Sequence, residues 1–206
     1  MDGILSPIFL QAASNIKREE PEANVIILHV IEQDYSGVMN IFVSSNSKFT
    51  VEYNEVAGDP PVIQEFNEPS YNNEEIQLPQ VAGNTDIIIR GDVTILNINT
   101  DTIQIETINT LGCNTLTQLY TDYQDVEEFM LNSELTTFAP DSSIRNLKTI
   151  YYAAVDEGVC NTLATLIVSS TVDEGTLYTD ENGAYYSILE EAANNRGWTI
   201  VTSNEQ

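Results

Sequence analysis

Apolar positions first gather in three short runs. Val25-Ile26-Ile27-Leu28-His29-Val30 is a β-branched stretch of buried-strand length. Met39, Ile41 and Val43 alternate along the next run, after a Ser36-Gly37 turn. Phe49, Val51 and Tyr53 alternate again, with Thr50 and Glu52 on the other face. This pattern predicts an antiparallel meander over 24–58 with one wet face. Residues 54–82 read as loop-rich, broken by Gly58-Asp59-Pro60-Pro61 and Glu68-Pro69-Ser70, with a short strand over Glu74–Leu78. A strand resumes over Thr85–Arg90, and Gly91-Asp92 turns the chain.

From Val93 the spacing changes. Val93, Leu96 and Ile98 set a frame of apolar, two residues, apolar, one residue, apolar. It restarts at Leu116/Leu119, at Leu135/Phe138 and at Leu163/Leu166/Val168, so that frames open at positions 93, 116, 135 and 163. A further frame at Leu147, Ile150 and Tyr152 falls inside the last and longest interval. The tetrapeptide Cys-Asn-Thr-Leu occurs at 113–116 and again at 160–163, each time leading into a restart. A period of about 20–29 with this frame is a leucine-rich-repeat signature. Such units cannot bury their apolar side alone, so stacking into a solenoid is expected. Cys113 and Cys160 then occupy equivalent, stacked interior positions. Tyr185–Asn195 has helical spacing, through Tyr185, Ile188, Leu189, Ala192 and Ala193, with Gly197 placed as its C-terminal cap. Trp198–Val201 reads as a closing strand, and this helix and strand are expected to cap the open end of the solenoid.

The fold class expected is therefore mainly β, in three parts. Residues 1–23 form an N-terminal arm, 24–92 a small antiparallel β-sandwich, and 93–206 an irregular leucine-rich-repeat-like solenoid with a C-terminal capping helix and strand. The arm carries the apolar cluster Ile4, Leu5, Ile8, Phe9 and Leu10, followed by Lys17-Arg18-Glu19-Glu20-Pro21. We read it as a docking arm; the alternative is a segment tucked onto the chain's own core.

Charge narrows the range of partners. Among 206 residues, 32 are acidic and 7 basic, a net charge of −25, while 42% are hydrophobic. A chain of this balance buries a core but has no basic patch for phosphates, which excludes passive nucleic-acid or anionic-membrane binding. The N-terminus lacks a basic region before its apolar run and so does not read as a secretory signal. No window reaches the ~18 apolar residues of a membrane span. The expectation is a soluble protein made in the cytoplasm.

Chemistry is sparse. His29 is the one histidine, and a structural role is expected for it. The two cysteines make no disulfide framework, and buried packing is the simplest reading for both. Acid pairs such as Glu127-Glu128, Asp156-Glu157 and Glu190-Glu191 follow from composition. Sequence neighbours in a strand point to opposite faces, so adjacency does not place two carboxylates across a glycoside. Thr179–Gly183 is too short for a calcium loop. Arg90-Gly91-Asp92 spells an integrin-binding tripeptide but lies where a turn into the first repeat belongs. No enzyme, cofactor or metal site is expected. Tyr151, Tyr152, Tyr178, Tyr185 and Tyr186 are candidate sugar-stacking platforms, or packing residues along the solenoid.

Several segments together carry a family resemblance. They are Ile-Ile-Ile-Arg-Gly-Asp-Val-Thr at 87–94, the Cys-Asn-x-Leu-x-x-Leu repeats, and Ala-Ala-Asn-Asn-Arg-Gly-Trp-Thr-Ile at 192–200. The chain resembles Bacteroidetes-type surface leucine-rich-repeat proteins, in which a PKD-like β-domain precedes the repeats. It also resembles virion appendages, including head fibres, of crAss-like Bacteroides phages. It departs from the family where Trp-Gly-Asp-Gly often follows the third strand; here the sequence is Tyr53-Asn54-Glu55-Val56-Ala57-Gly58-Asp59. The resemblance implies a phage structural protein, a head fibre or similar capsid-attached appendage acting in assembly or host-surface adhesion. It would be a homo-oligomer, with a trimer favoured, bound to capsid or other virion proteins and located in the virion. The alternative is a cell-surface adhesin or glycan-binding module, with a host glycan or protein as partner.

Overall fold

A computed structural model describes residues 24–33, 38–99, 103–121, 126–142 and 144–203. The described chain is mainly β, with fourteen strands in two sheets and two helices. The strands are β1 (Val25–Gln33), β2 (Met39–Ser45), β3 (Phe49–Tyr53), β4 (Val62–Phe66), β5 (Ser70–Leu78), β6 (Thr85–Arg90) and β7 (Val93–Asn99). They continue as β8 (Ile103–Gly112), β9 (Gln118–Thr121), β10 (Glu128–Met130), β11 (Thr137–Pro140), β12 (Thr149–Tyr152), β13 (Thr176–Thr179) and β14 (Thr199–Thr202). Helix α1 (Glu157–Ser169) precedes β13, and α2 (Tyr186–Arg196) precedes β14. The larger sheet runs β14-β13-β12-β10-β8-β1-β6-β3-β4 and the smaller β11-β9-β7-β2-β5.

The first three strands form where their alternation places them, but they are not a meander. β1 pairs with β6 and β8, β2 with β5 and β7, and β3 with β4 and β6. The chain crosses from the larger sheet to the smaller and back. Each strand has one apolar face, and a single-layer meander would leave all three faces without a covering layer. Crossing between layers lets Ile26, Leu28 and Phe49 meet Met39, Ile41 and Val43 in one core. In the stretch 54–82, read as loop-rich, β4 is an additional strand, and the short strand expected over Glu74–Leu78 is the second half of β5, where Ile76 and Leu78 are buried around exposed Gln77. Both strands are sheet edges, and Tyr71–Glu75 of β5 are exposed, so the first half of β5 shows no apolar alternation to read.

From β7 onward the pairing turns parallel. In the smaller sheet Leu96, Leu119 and Phe138 stand side by side on β7, β9 and β11. These are the frame positions of the first three units. In the larger sheet Ile108, Phe129, Ile150, Leu177 and Ile200 align across β8, β10, β12, β13 and β14. The longest step in this row is from Ile150 to Leu177, where α1 lies between the strands. The frame at Leu147, Ile150 and Tyr152 is thus a rung of the larger sheet. β7 and β8 also pair antiparallel with β2 and β1, so both sheets and the core run unbroken past position 92.

The fourth restart is overturned. Leu163, Leu166 and Val168 lie in α1, whose apolar face is Val159, Cys160, Leu163, Leu166 and Ile167, while Val168 is 56% exposed. Asp156 starts this helix, its carboxylate accepting the Val159 N–H at 3.0 Å. Cys160 therefore sits in a helix and Cys113 in the turn between β8 and β9; both are buried, but they are not equivalent. The position matching Cys113 is Asn132, which stands before the frame leucine Leu135 as Cys113 stands before Leu116. The Cys113 thiol faces the Val93 carbonyl at 3.6 Å, and the Asn132 amide donates to Leu116 O at 3.0 Å and to Cys113 O. Each reaches back into the turn before its own.

The closing elements lie close to their expected positions. α2 ends at Gly197, whose φ of 72° is left-handed. Gly175 leaves space for the Trp198 ring, which a Cβ there would overlap, and the indole N–H donates to Val172 O at 3.2 Å. β14 extends the larger sheet by one strand and is its edge.

Phe129 lies inside the ladder, with its ring edge-to-face on Phe138 of the other sheet at 5.0 Å. Phe129→Ala should cost about 3–5 kcal/mol in chemical denaturation. Val168→Asp, on the exposed side of α1, should stay within about 0.5 kcal/mol of the parent.

Candidate functional site

The core-facing residues of the larger sheet alternate with residues that point away from the core, and pairing aligns the latter in two rows. One row is polar. It runs from Asp86 through His29, Thr107 and Glu128 to the threonines Thr149, Thr176 and Thr199. The other runs from Ile27 and Asn109 through Met130 to Tyr151, Tyr178 and Val201. Together they make the outer face of the sheet the main candidate surface.

His29 is held at the antiparallel end. Its Nδ1 lies 2.7 Å from Asp86 Oδ1, and Nε2 lies 3.9 Å from Glu106 Oε2. Thr107 stands opposite His29 on β8, but its hydroxyl donates to Glu128 Oε2 at 3.2 Å. A carboxylate orients the imidazole, yet the adjacent hydroxyl is committed elsewhere, so no nucleophile–base pair results. Among the described residues no group of three or more His, Cys, Asp or Glu is suited to hold a metal ion.

At the parallel end the tyrosines stack. Tyr151 and Tyr178 lie in register with ring centroids 4.2 Å apart and planes 1° from parallel. Tyr151 is only 6% exposed, and burial, then the neighbouring Tyr178 and Glu128, raises its phenol above the ordinary range. Each ring covers one face of the other, which is ladder packing, and Tyr178 stays half-buried. Tyr152 points into the core and accepts the Asp156 N–H at 3.2 Å. Tyr185 and Tyr186 pack partly buried against the core from the α2 side, and the Tyr186 hydroxyl donates to Glu190 at 3.1 Å. The five nominated tyrosines therefore divide among three surroundings.

A second repeat generates the outer rows: Thr149-Ile150-Tyr151-Tyr152, Thr176-Leu177-Tyr178-Thr179 and Thr199-Ile200-Val201-Thr202. A search keyed to leucine spacing passes over it. Threonine, apolar, tyrosine or valine is the pattern that would have found it.

Other nominated residues are used locally. Gly91 of Arg90-Gly91-Asp92 has φ 140° and leaves no room for a Cβ beside Phe49. Arg90 pairs with Glu52 at 3.0 Å, and Asp92 accepts from the Asn24 amide at 2.7 Å. The tripeptide is a packed turn. In the 179–183 loop, Asp180 Oδ1 accepts from the Asn182 N–H at 2.9 Å and the Ser203 hydroxyl at 3.3 Å. Ile4, Leu5, Ile8, Phe9 and Leu10 lie outside the described residues. No helix among the described residues is long and apolar enough to cross a membrane.

Comparison with protein-family models, curated proteins and solved structures finds no match to this chain.

The thiols are held protonated. Burial, and secondarily Asp156, pushes Cys160 up to about 12, and burial raises Cys113. An unfolded chain releases these protons at the ordinary thiol value while the folded chain retains them. The stability that Cys160 contributes by staying protonated is therefore full below about 9 and is lost as pH rises toward 12, and Cys113 adds to it in the same direction. A melting series from pH 8 upward should show this fall, and Cys160→Ala should flatten part of it. Iodoacetamide at pH 8 should label neither cysteine until denaturant is added.

Proposed function

We infer that the chain is a structural protein of a phage virion, a head fibre or similar capsid-attached appendage acting in assembly or host-surface adhesion. The observation that carries this reading is the continuity of the larger sheet. Nine strands, about 38 Å across at ordinary strand spacing, pass without a break from an antiparallel sandwich into a parallel ladder over one core. Such a body holds a fixed shape and presents a long face, which is what an appendage requires. The ladder is read as an irregular, divergent leucine-rich-repeat solenoid. Its first rungs pair a strand in each sheet, and its last two replace the second strand with a helix. Its task is assembly: residues 1–23 dock to the particle, copies associate with one another, and the outer face meets the surroundings. The resemblance points to three copies.

The alternative, an adhesin or glycan-binding module, draws on that same face. Thr149, Thr176 and Thr199 offer hydroxyls one strand spacing apart, about 4.8 Å.

Particles assembled with a tagged copy should carry it in stoichiometric amount by mass spectrometry and show it outside the shell by electron microscopy. Deleting residues 2–20 should abolish incorporation while circular dichroism and melting of the remainder stay unchanged. A tagged chain that never enters particles, yet binds a glycan array through Thr149 and Thr176, would favour the adhesin instead.

A further inference from the structure

The two sheets have four edge strands, and three of them are guarded. β4 carries Glu65 and β5 carries exposed Glu74 and Glu75, with a bulge where it meets β2. β11 ends in Pro140, and α1 packs against it. Charges, prolines, bulges and covering helices are the usual means of keeping edges apart. β14 has α2 packed against it but carries no charge, proline or bulge. It is Thr199-Ile200-Val201-Thr202, uncharged and β-branched at every position. Its core-facing row is also less covered: Ile108, Phe129, Ile150 and Leu177 are fully buried, while Ile200 is only partly so.

The pairing to β13 shows which main-chain groups remain. The Thr199 N–H donates to Gly175 O at 2.9 Å, so Thr199 and Val201 turn their main chain toward β13. Ile200 and Thr202 turn theirs away, and among the described residues no strand takes them. We propose that this edge receives β14 of a second copy, antiparallel, about a two-fold axis at Val201. Ile200 of each copy then exchanges both main-chain hydrogen bonds with Thr202 of the other, and the two Val201 side chains meet on the outer face. Charge bears on the place of such a contact. Copies carrying −25 each repel wherever carboxylates meet; β14 and β11 are the edge strands that carry no carboxylate, and of the two β11 ends in proline. Main-chain pairing is self-complementary in this register, as an isologous contact requires. The contact closes at two copies and so takes the place of the threefold assembly that the resemblance implies. It does not depend on the virion reading, which particle incorporation tests separately.

The test uses the full chain. Sedimentation velocity from micromolar to millimolar should show a reversible monomer–dimer equilibrium. Thr202→Pro removes an N–H that faces the open side and not β13; Val201→Glu places two carboxylates across the axis. Each should shift the protein to monomer, with circular dichroism and melting of the dilute protein retained, and Val201→Glu decides the matter if Thr202→Pro unfolds. In the proposed register the two Val201 Cα atoms are about 4.5 Å apart, within disulfide reach. Mild oxidation of Val201→Cys should therefore crosslink the dimer quantitatively. Thr199→Cys, whose copies stand about 13 Å apart in that register, should not crosslink. A monomer at millimolar concentration, a trimer, a dimer indifferent to both edge substitutions, or equal crosslinking at 199 and 201 would each overturn the proposal.

Discussion

Two strands are each asked to pair in two senses. β7 is antiparallel to β2 and parallel to β9; β8 is antiparallel to β1 and parallel to β10. A parallel ladder of short strands has no hairpin to set its register, and its apolar ends are exposed unless something closes them. Here the sandwich closes one end and sets the register at once. β10, β12 and β13 are short and take their alignment from β8, which is much longer and anchored along β1.

The corners hold that alignment. The Thr117 N–H donates to Thr94 O at 3.0 Å, Thr136 to Thr117 O at 2.9 Å, and Thr199 to Gly175 O at 2.9 Å, each bond joining one turn to the turn before. Buried side chains repeat the arrangement. Asn132 bridges two carbonyls of the preceding turn, and the Ser170 hydroxyl donates to Leu147 O at 2.9 Å. These groups sit where turn carbonyls would otherwise be buried without partners. They explain why polar residues occupy fully buried positions in an otherwise apolar stack.

The same stacking shapes the outer face. Parallel in-register pairing puts like residues beside like, so tyrosines meet tyrosines and threonines meet threonines. The Tyr151–Tyr178 stack is a consequence of register, and it withdraws one face of each ring from solvent. What the surface offers is a regular relief of hydroxyls and ring edges with acidic flanks, suited to contact over an extended area. That character supports the structural reading more than one built on a pocket or a reacting group.

Local periodicity is enough to read much of this from the sequence. The alternation of Phe49, Val51 and Tyr53, the helical spacing from Tyr185 to Ala193, and the match of Leu96, Leu119 and Phe138 all reflect burial on one face of one element. Burial of that kind leaves a trace over a short stretch of chain. Which strands pair is not legible, because main-chain hydrogen bonds join residues regardless of side chain. The three N-terminal strands therefore read as a meander and fold as two layers. β4 and the first half of β5 escape notice because edge strands need few apolar residues, while Ile76 and Leu78 mark the second half of β5. The second Cys-Asn-Thr-Leu reads as a restart and folds as a helix because Asp156, just upstream, caps it, whereas the first follows a strand held by its neighbours. The outer rows are hidden for a related reason. Tyr151 and Tyr178 have the whole of α1 between them in the chain and lie 4.2 Å apart in space. Only the register of the folded sheet brings them together.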